Sequence, residues 1–370
     1  MTTELSPTLI IGTGLVGASV GCALTRAGVD VYLSDLVRSH AQVAASRGAG
    51  RVAEPEPGAV RLVVVAVPPD DLADVVERAL GTCPNATVTD VGSVKGTVLA
   101  ALRARDLDLS RYVGSHPMAG SHLAGPLTAN ADLFTDRTWV ITPHDTAAAH
   151  AVLDVEQVAR LCGGRLVTMG AAHHDEAVAQ VSHVPQLVSA LMAGALVDVP
   201  PEHLRLAGQG LRDVTRIAGS QPELWQQIIA ANRAAVLGEL RGLAASLDHL
   251  VAAFDEPGEV AAFLARGRAG AQALPGKHGA AGVTFAQVVV SIPDEPGSLA
   301  RLFRDIETAG VNVEDLSIDH DQEREVGYLS IQVVPGRAAE LAKAMKAAGW
   351  AVRNADEFVD QESGARGTYE

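Results

Sequence analysis

A glycine-rich turn near the start of the chain constrains the possible folds more than any other feature. The elements around it are an apolar stretch at residues 9–11, the turn Gly12-Thr13-Gly14-Leu15-Val16-Gly17, a helical pattern over 18–27, and a second apolar stretch, 29–34, that ends before Asp35. This order predicts a βαβ unit that binds a dinucleotide, because the glycines permit a tight turn, a close pyrophosphate and close helix packing. A glycine-rich turn without a cofactor is the alternative.

The acid after the second strand bears on the choice of cofactor. Asp35 lies about 20 residues after the turn, where a carboxylate can bind the ribose hydroxyls. It favours NAD, and it makes NADP less favourable because it repels a 2′-phosphate, although Arg38 could accept that group. The residues expected to contact the cofactor are Gly12, Thr13, Gly14, Leu15, Val16, Gly17, Asp35, Val67, Pro68 and Ser93.

The rest of the first half repeats the same rhythm of strands and helices. Short strand-like segments at 62–67, 87–91 and 138–142, the first of them fully apolar, alternate with helical patterns such as 70–80. This alternation predicts a parallel sheet, in which ligands bind beyond the carboxyl ends of the strands. We therefore expect an α/β Rossmann domain over residues 1–149.

Two residues that follow predicted strands are candidates for chemistry. His116 lies between small residues and a proline, in a segment that we expect to be a loop. Histidine is the side chain best suited to exchange protons near pH 7. Ser93 lies in another loop at a strand end and could converge on the same cleft. The alternative for His116 is that it caps a turn.

Four motifs, in this order, resemble those of the prephenate/arogenate dehydrogenase family. They are Asp90-Val91-Gly92-Ser93-Val94-Lys95-Gly96; Ser115-His116-Pro117-Met118-Ala119-Gly120; His174-Asp175 with Ser182-His183-Val184-Pro185; and residues 208–218, GQGLRDVTRIA. The resemblance implies oxidation of the ring C4-hydroxyl of prephenate or arogenate, with hydride transfer to the nicotinamide and loss of the ring carboxylate. The family performs this step on the route to tyrosine.

The resemblance also implies roles for single residues. In the family, the positions of His116 and Ser93 polarise the substrate hydroxyl, and that of Arg216 binds a carboxylate, for which a bidentate guanidinium is well suited. The alternative for Arg216 is a surface residue paired with Asp213. Further substrate-binding positions are Ser115, Asp175, His183 and Trp225. His183 could instead be satisfied within a helix break, and Trp225 could anchor the core.

The chain departs from the family pattern at two positions. His122 stands where many members have an acid, and Gln186 stands where many have a second histidine. We expect both to lie among the substrate-binding residues. Since glutamine offers a donor and an acceptor, we expect Gln186 to contact the substrate side chain. The substrate choice stays open, with a modest preference for arogenate.

The region 150–276 reads as an all-α domain that forms the dimer and contributes to the substrate site. The pattern is helical throughout from residue 150 to about 274, with a break expected near His183 because Pro185 cannot continue a helix. A long apolar stripe predicts either core or a dimer interface. Its members are Ile228, Ile229, Ala235, Val236, Leu240, Leu243, Leu247 and Leu250. The family resemblance implies a homodimer.

Residues 284–356 show the order βαββαβ, which is typical of a ferredoxin-like unit. The segments 294–299 (DEPGSL) and 310–313 (GVNV) resemble the ACT domain, a regulatory module that commonly binds amino acids. The resemblance implies tyrosine as effector, with Gly297 and Asn312 as contacts; the alternative is dimerisation without a ligand. We expect a disordered tail over 357–370.

Composition narrows the function classes. The 370 residues carry a net charge of −15, which disfavours nucleic acid or an anionic membrane as partner. Three distant cysteines predict neither a disulfide framework nor a metal site. With no signal peptide or apolar span expected, we predict a cytoplasmic location. Two alternative functions stay open: the same chemistry on an amino analogue of prephenate, and a non-catalytic sensor.

Overall fold

The computed structural model describes residues 2–119, 125–274, 285–293, 295–321 and 326–354. The chain divides into two compact units, Met1–Ser246 and Leu247–Glu370. The nucleotide-binding half and most of the helical region therefore lie within one unit.

The first sheet contains four parallel strands, formed by four of the five stretches that were expected in one parallel sheet. The fifth stretch, 138–142, is instead a strand of a second, separate sheet. The strands are β1 (Thr8–Ile11), β2 (Val31–Ser34), β3 (Leu62–Val65) and β4 (Thr87–Asp90), in the order β2-β1-β3-β4. The helices that accompany them are α1 (Leu15–Arg26), α2 (Arg38–Ser46), α3 (Leu72–Thr82) and α4 (Gly96–Arg103). Every residue of β3 and β4 is buried. Burial on both faces explains the continuous apolar sequence of β3, LVVV, whereas β4, TVTD, also buries polar side chains.

A second sheet corrects two sequence-based expectations. It contains β5 (Gly114–Pro117), β6 (Thr138–Thr142) and β7 (Arg165–Thr168), and α5 (Ala149–Leu161) precedes β7. The segment around His116 was expected to be a loop, but it is a strand that runs antiparallel to β6. Residues 150–274 are not helical throughout, because β7 pairs with β6. As a largely exposed strand, β7 lacks the apolar stretch that would have identified it.

The helical region contains α6 (Ala171–Val178), α7 (Val184–Gly194), α8 (Pro201–Leu204), α9 (Gln209–Thr215), α10 (Pro222–Ala231), α11 (Arg233–Ala252) and α12 (Glu259–Gln272). The expected break near His183 is confirmed. A π-helical turn, Ala179–His183, connects α6 to α7 and accommodates Pro185 in the first turn of α7. A short 3₁₀ turn, Arg216–Gly219, follows α9.

The apolar stripe on α10 and α11 divides into a buried and an exposed part. Ile228 and Val236 are buried, whereas Leu243 and Leu247 are 48% and 55% exposed. The first part therefore belongs to the core, and the second part leaves apolar side chains on the surface of the single chain.

The C-terminal unit confirms the predicted βαββαβ order. Its elements are β8 (Ala286–Pro293), α13 (Ser298–Thr308), β9 (Asp315–Asp321), β10 (Val326–Val333), α14 (Pro335–Ala347) and β11 (Ala351–Asn354). The strands pair antiparallel in the order β11-β8-β10-β9. Gly297 caps α13 with a φ of +91°, and Asn312 Nδ2 donates to Glu314 Oε1 at 2.7 Å. The tail expected at 357–370 lies outside the described residues.

Candidate active site

The glycine turn has the shape that a dinucleotide requires. Gly12 has a φ of +92°, and a Cβ placed on it would lie 2.4 Å from the carbonyl oxygen of Ala66. A Cβ on Gly17 would lie 2.0 Å from the carbonyl oxygen of Gly12, so both positions require glycine. A Cβ on Gly14 would meet nothing within 4 Å. The turn therefore packs tightly on one side and is open at Gly14, next to the N-terminus of α1.

Asp35 lies beside this turn, at the carboxyl end of β2. Its Oδ2 accepts hydrogen bonds from the backbone N and the hydroxyl of Thr13, at 2.7 and 2.8 Å. Its Oδ1 accepts from the backbone N of Val37 at 2.8 Å. Since Thr13 is fully buried, its main role here is to orient Asp35. Leu15, Val16 and Val67 are partly buried around the turn, and Pro68 is exposed.

A buried charged cluster lies under the loop that carries Ser93. The carboxylate of Asp90 pairs with the ammonium of Lys95, and accepts from Tyr112 Oη at 2.7 Å and from the backbone N of Gly92 at 2.9 Å. All three side chains are at most 1% exposed. Burial lowers the pKa of Lys95, and burial followed by the charge of Asp90 raises the pKa of Tyr112. The cluster thus connects both ends of the 90–95 loop to the segment before β5.

His116 lies on β5 and contacts a second histidine. Its Nδ1 is 2.9 Å from Nε2 of His174, whose Nδ1 is 2.8 Å from Oδ1 of Asp175. Burial holds the pKa of His116 well below its ordinary value, and the nearby ammonium of Lys95 lowers it further. His116 is therefore neutral at pH 7, and the residue as a whole is partly exposed.

Asp175 binds the first turn of α4. Its Oδ1 accepts from the backbone N of Lys95 at 2.8 Å, and its Oδ2 accepts from the backbone N of Gly96 at 2.7 Å. A carboxylate is favoured there because the first N–H groups of a helix have no partner within the helix. A Cβ on Gly96 would lie 2.7 Å from that Oδ2, which explains the glycine.

His183 lies at the π-helical turn and bonds to Asn232, between α10 and α11. The Asn232 amide nitrogen donates to the carbonyl of Asp175 at 2.7 Å and contacts His183 Nδ1 at 3.1 Å. Burial lowers the pKa of His183 to about 4. The ring of Trp225 stands edge-on to His183, with 6.1 Å between ring centroids. His183 and Trp225, both expected at the site, are therefore neighbours.

Gln186 and Arg216 are connected through the backbone. The amide nitrogen of Gln186, a buried residue, donates to the carbonyl of Ile217 at 2.9 Å. Arg216 itself is exposed. Asp213, its expected partner in the surface alternative, instead accepts from Gln209 Nε2 at 2.9 Å. Gln186 thus fixes the 3₁₀ turn that carries Arg216.

Three other candidates differ from expectation or lie outside the described residues. Ser115 is fully buried, and its hydroxyl donates to the carbonyl of Asp90 at 2.9 Å, so this side chain connects β4 and β5 instead of facing a cleft. Ser93 is partly exposed, and its hydroxyl makes no hydrogen bond to any described residue. His122 lies in 120–124, outside the described residues.

Sequence reasoning missed several residues of this network. His174, Lys95, Tyr112 and Asn232 were not proposed as site residues, although His174 and Lys95 belong to motifs that were recognised. An aspartate followed five residues later by a lysine, within a recognised motif, was the available sequence signal. Asn232 had none, because its partners are 49 and 57 residues away.

The described residues lack two other kinds of feature. No helix among them is both long enough and apolar enough to cross a membrane. No group of three or more metal-binding side chains is found in these ranges.

Comparison with known proteins identifies related families and structures. The family model for the nucleotide-binding domain of prephenate dehydrogenase matches residues 20–168, and the model for its dimerization domain matches residues 170–259. A relative from Streptomyces niveus named "Probable prephenate dehydrogenase NovF" is 35% identical over 92% of this chain and 98% of its own. Cyclohexadienyl dehydrogenase of Zymomonas mobilis is 32% identical over 65% of this chain and 86% of its own.

Two more similarities bear on substrate and cofactor. A 4-amino-4-deoxyprephenate dehydrogenase of Streptomyces pristinaespiralis is 33% identical over 60% of this chain and 75% of its own. The crystal structure of Aquifex aeolicus prephenate dehydrogenase, in complex with hydroxyphenyl propionate and NAD⁺, is 26% identical with a TM-score of 0.64. The match covers 71% of this chain and 96% of that one.

Proposed function

Because this chain belongs to the prephenate dehydrogenase family, we propose that His116 is the group that polarises the substrate hydroxyl in its reaction. The chain is an NAD-linked oxidoreductase that catalyses an oxidative decarboxylation in tyrosine biosynthesis. The observation that carries the role of His116 is its neutral ring, on a partly exposed residue of β5. Only a neutral imidazole has a nitrogen lone pair to accept a hydrogen bond.

The nucleotide is held, in this proposal, by the turn from Gly12 to Gly17 and by Asp35. NAD, when bound, supplies the acceptor for the hydride. The open side of Gly14 leaves room for the pyrophosphate, and the N-terminus of α1 attracts its charge. Asp35, already oriented by Thr13, accepts hydrogen bonds from ribose hydroxyls and repels a 2′-phosphate. Val67, Pro68 and Ser93 complete the cofactor contacts.

The substrate carboxylate is assigned to Arg216. This guanidinium is exposed and has no ion-pair partner in the described part of the chain, so it is free to bind an anion. Gln186 supports it by fixing the 3₁₀ turn. A contact of Gln186 with the substrate side chain would then use its Oε1, which is left over by the bond to Ile217. His183, Trp225, Asp175 and His122 are further proposed substrate-site positions.

A turnover assay of NADH formation tests the function. We expect turnover with prephenate or arogenate, with a modest preference for arogenate. The amino analogue, 4-amino-4-deoxyprephenate, is the second candidate because a relative carries that name. His116→Asn should lower kcat about 10²–10⁴-fold and leave the Kd for NAD nearly unchanged. Near wild-type turnover by this variant would remove His116 from the chemistry, and absence of NADH with all three substrates would refute the activity.

The homodimer is a proposal as well. We expect residues 150–276 to form the dimer interface. Two observations support this expectation: the match to a dimerization domain, and the exposed apolar side chains of α11, such as Leu243 and Leu247. Sedimentation equilibrium should give twice the chain mass of 38.3 kDa. A monomer at micromolar concentration would contradict this proposal.

The C-terminal unit is proposed to be an ACT regulatory domain. The antiparallel βαββαβ topology and the left-handed Gly297 at the start of α13 support this assignment. Tyrosine is the proposed effector, with Gly297 and Asn312 as contacts. Deleting residues 284–370 should leave NADH formation intact and remove inhibition by tyrosine. Undiminished inhibition in the truncated enzyme would move the regulatory site out of this unit.

A further inference from the structure

His174 is fully buried, and both of its ring nitrogens are in use. Its Nδ1 lies 2.8 Å from Asp175 Oδ1, and its Nε2 lies 2.9 Å from His116 Nδ1. Each contact needs one proton, and the two contacts share one ring. The proton positions in this series can therefore be worked out from its end, where the chemistry of Asp175 is fixed.

The carboxylate of Asp175 acts only as an acceptor, because it already binds the backbone N–H groups of Lys95 and Gly96. The proton of the contact with His174 must then lie on Nδ1 of His174. A neutral His174 has only one ring proton, so its Nε2 accepts. Consequently Nδ1 of His116 carries a proton, and Nε2 of His116 is left with the free lone pair.

We propose that His174 is a positioning residue that holds His116 in the tautomer with the proton on Nδ1. The inference rests on the proposed function, in which His116 accepts a hydrogen bond from the substrate. In the opposite tautomer, Nε2 would carry the proton and could only donate, so the substrate hydroxyl would not be polarised. The buried pair His174–Asp175 thus determines that Nε2 of His116 accepts a hydrogen bond and does not donate one.

The position of His174 favours this role over simple packing. A histidine that only filled space would not need an acid beside it, whereas Asp175 both orients the ring and binds the start of α4. His173, the preceding residue on α6, is exposed and makes no such contacts with the described residues. It provides a matched control on the same helix.

The first experiment reads the tautomer without any activity. Nitrogen-15 NMR of the full-length protein labelled at histidine distinguishes protonated from unprotonated ring nitrogens. We expect His116, identified by the signal lost in His116→Asn, to carry its proton on Nδ1 at pH 7.5. A proton on Nε2 would overturn the proposal. The NMR result does not depend on enzyme activity. Failure of the tautomer proposal can therefore be distinguished from failure of the proposed function.

The second experiment separates positioning from packing. His174→Gln keeps an acceptor near the position of Nε2, whereas His174→Leu keeps the bulk and removes the acceptor. We expect kcat to fall on the order of 10²–10⁴-fold in His174→Leu and about 10-fold or less in His174→Gln, with the Kd for NAD unchanged in both. His173→Leu should retain wild-type kcat.

Several outcomes would overturn the proposal. Equal kcat losses in the leucine and glutamine variants, or a smaller loss with leucine, would indicate packing alone. An unchanged His116 tautomer in folded His174→Leu would have the same consequence. If His174→Leu does not fold, the wild-type tautomer and the glutamine variant still decide the question.

Discussion

The buried hydroxyl of Tyr112 offers a sensitive test of the cluster around Asp90. Tyr112 Oη donates to Asp90 Oδ2 at 2.7 Å, and it is the only described donor to that oxygen; Lys95 and the backbone N of Gly92 both bind Oδ1. Tyr112→Phe removes the hydroxyl and leaves the ring, which is 1% exposed, in place. The change therefore isolates one hydrogen bond to a buried carboxylate.

The expected cost follows from that isolation. A hydrogen bond to a charged group contributes about 1.5–3 kcal/mol, and a buried oxygen left without a donor keeps its full desolvation penalty. Since the ring packing is preserved, we expect Tyr112→Phe to lower the free energy of unfolding by about 1.5–3 kcal/mol. For a unit of this size, that corresponds to a fall in Tm of about 3–12 °C.

Differential scanning calorimetry at pH 7.5 measures the effect, with Tyr32→Phe as matched control. The hydroxyl of Tyr32 bonds to an exposed guanidinium, that of Arg51, at the surface. Its loss should change the free energy of unfolding by no more than about 0.5 kcal/mol. Equal shifts in the two variants, or a shift below about 0.5 kcal/mol in Tyr112→Phe, would show that Asp90 Oδ2 does not depend on this hydroxyl.

Three further predictions concern the same unit. Lys95→Met should cost about 3–5 kcal/mol in calorimetry, because it leaves the buried Asp90 carboxylate without its counter-charge, and an unchanged Tm would contradict that pairing. Gly17→Ala should lower the Tm of the ligand-free protein because its Cβ would lie 2.0 Å from a carbonyl oxygen. Gly14→Ala should keep the wild-type Tm and weaken only NAD binding, measured by calorimetric titration. A lower Tm for Gly14→Ala than for Gly17→Ala would refute the assigned roles. The pKa of His183 is lowered to about 4 in the folded chain, against about 6.5 when unfolded, so the unfolded state binds more protons between these values. The contribution of His183 to the free energy of unfolding should be fully present above about pH 6.5 and should fall by up to about 3 kcal/mol as the pH drops toward 4. Urea titrations at several pH values measure this dependence. His183→Asn should make it less steep, and the exposed control His203→Asn should leave it unchanged.

Local patterns in the sequence were sufficient for much of the fold. The glycine turn and Asp35 predicted β1, α1 and β2, because each depends on residues adjacent in the chain. Pro185 predicted the helix break, and glycines after helices, such as Gly310 and Gly349 with φ of +63° and +87°, marked the ends of α13 and α14. Edge strand β7 was missed, since a short exposed strand has neither an apolar stretch nor an alternating pattern.

Local patterns predicted much less of the candidate active site than of the fold. Motifs identified His116, His183 and Arg216 as candidates, but not the partners that determine their protonation or orientation. His116 and His174 are 58 residues apart, and Gln186 and Ile217 are 31 apart. Only the packing of strands and helices brings such pairs within hydrogen-bond distance.

The sequence by itself therefore determined the family, the nucleotide-binding half and the βαββαβ unit, because these are encoded in short-range spacing and turn residues. The tertiary structure alone decided that Ser115 is buried, that Asp90 shares its carboxylate with Lys95 and Tyr112, and that Asp175 and His174 lie behind His116. Hydrogen bonding and desolvation depend on which groups lie close together in the folded chain, and local sequence patterns do not predict contacts between residues distant in the sequence.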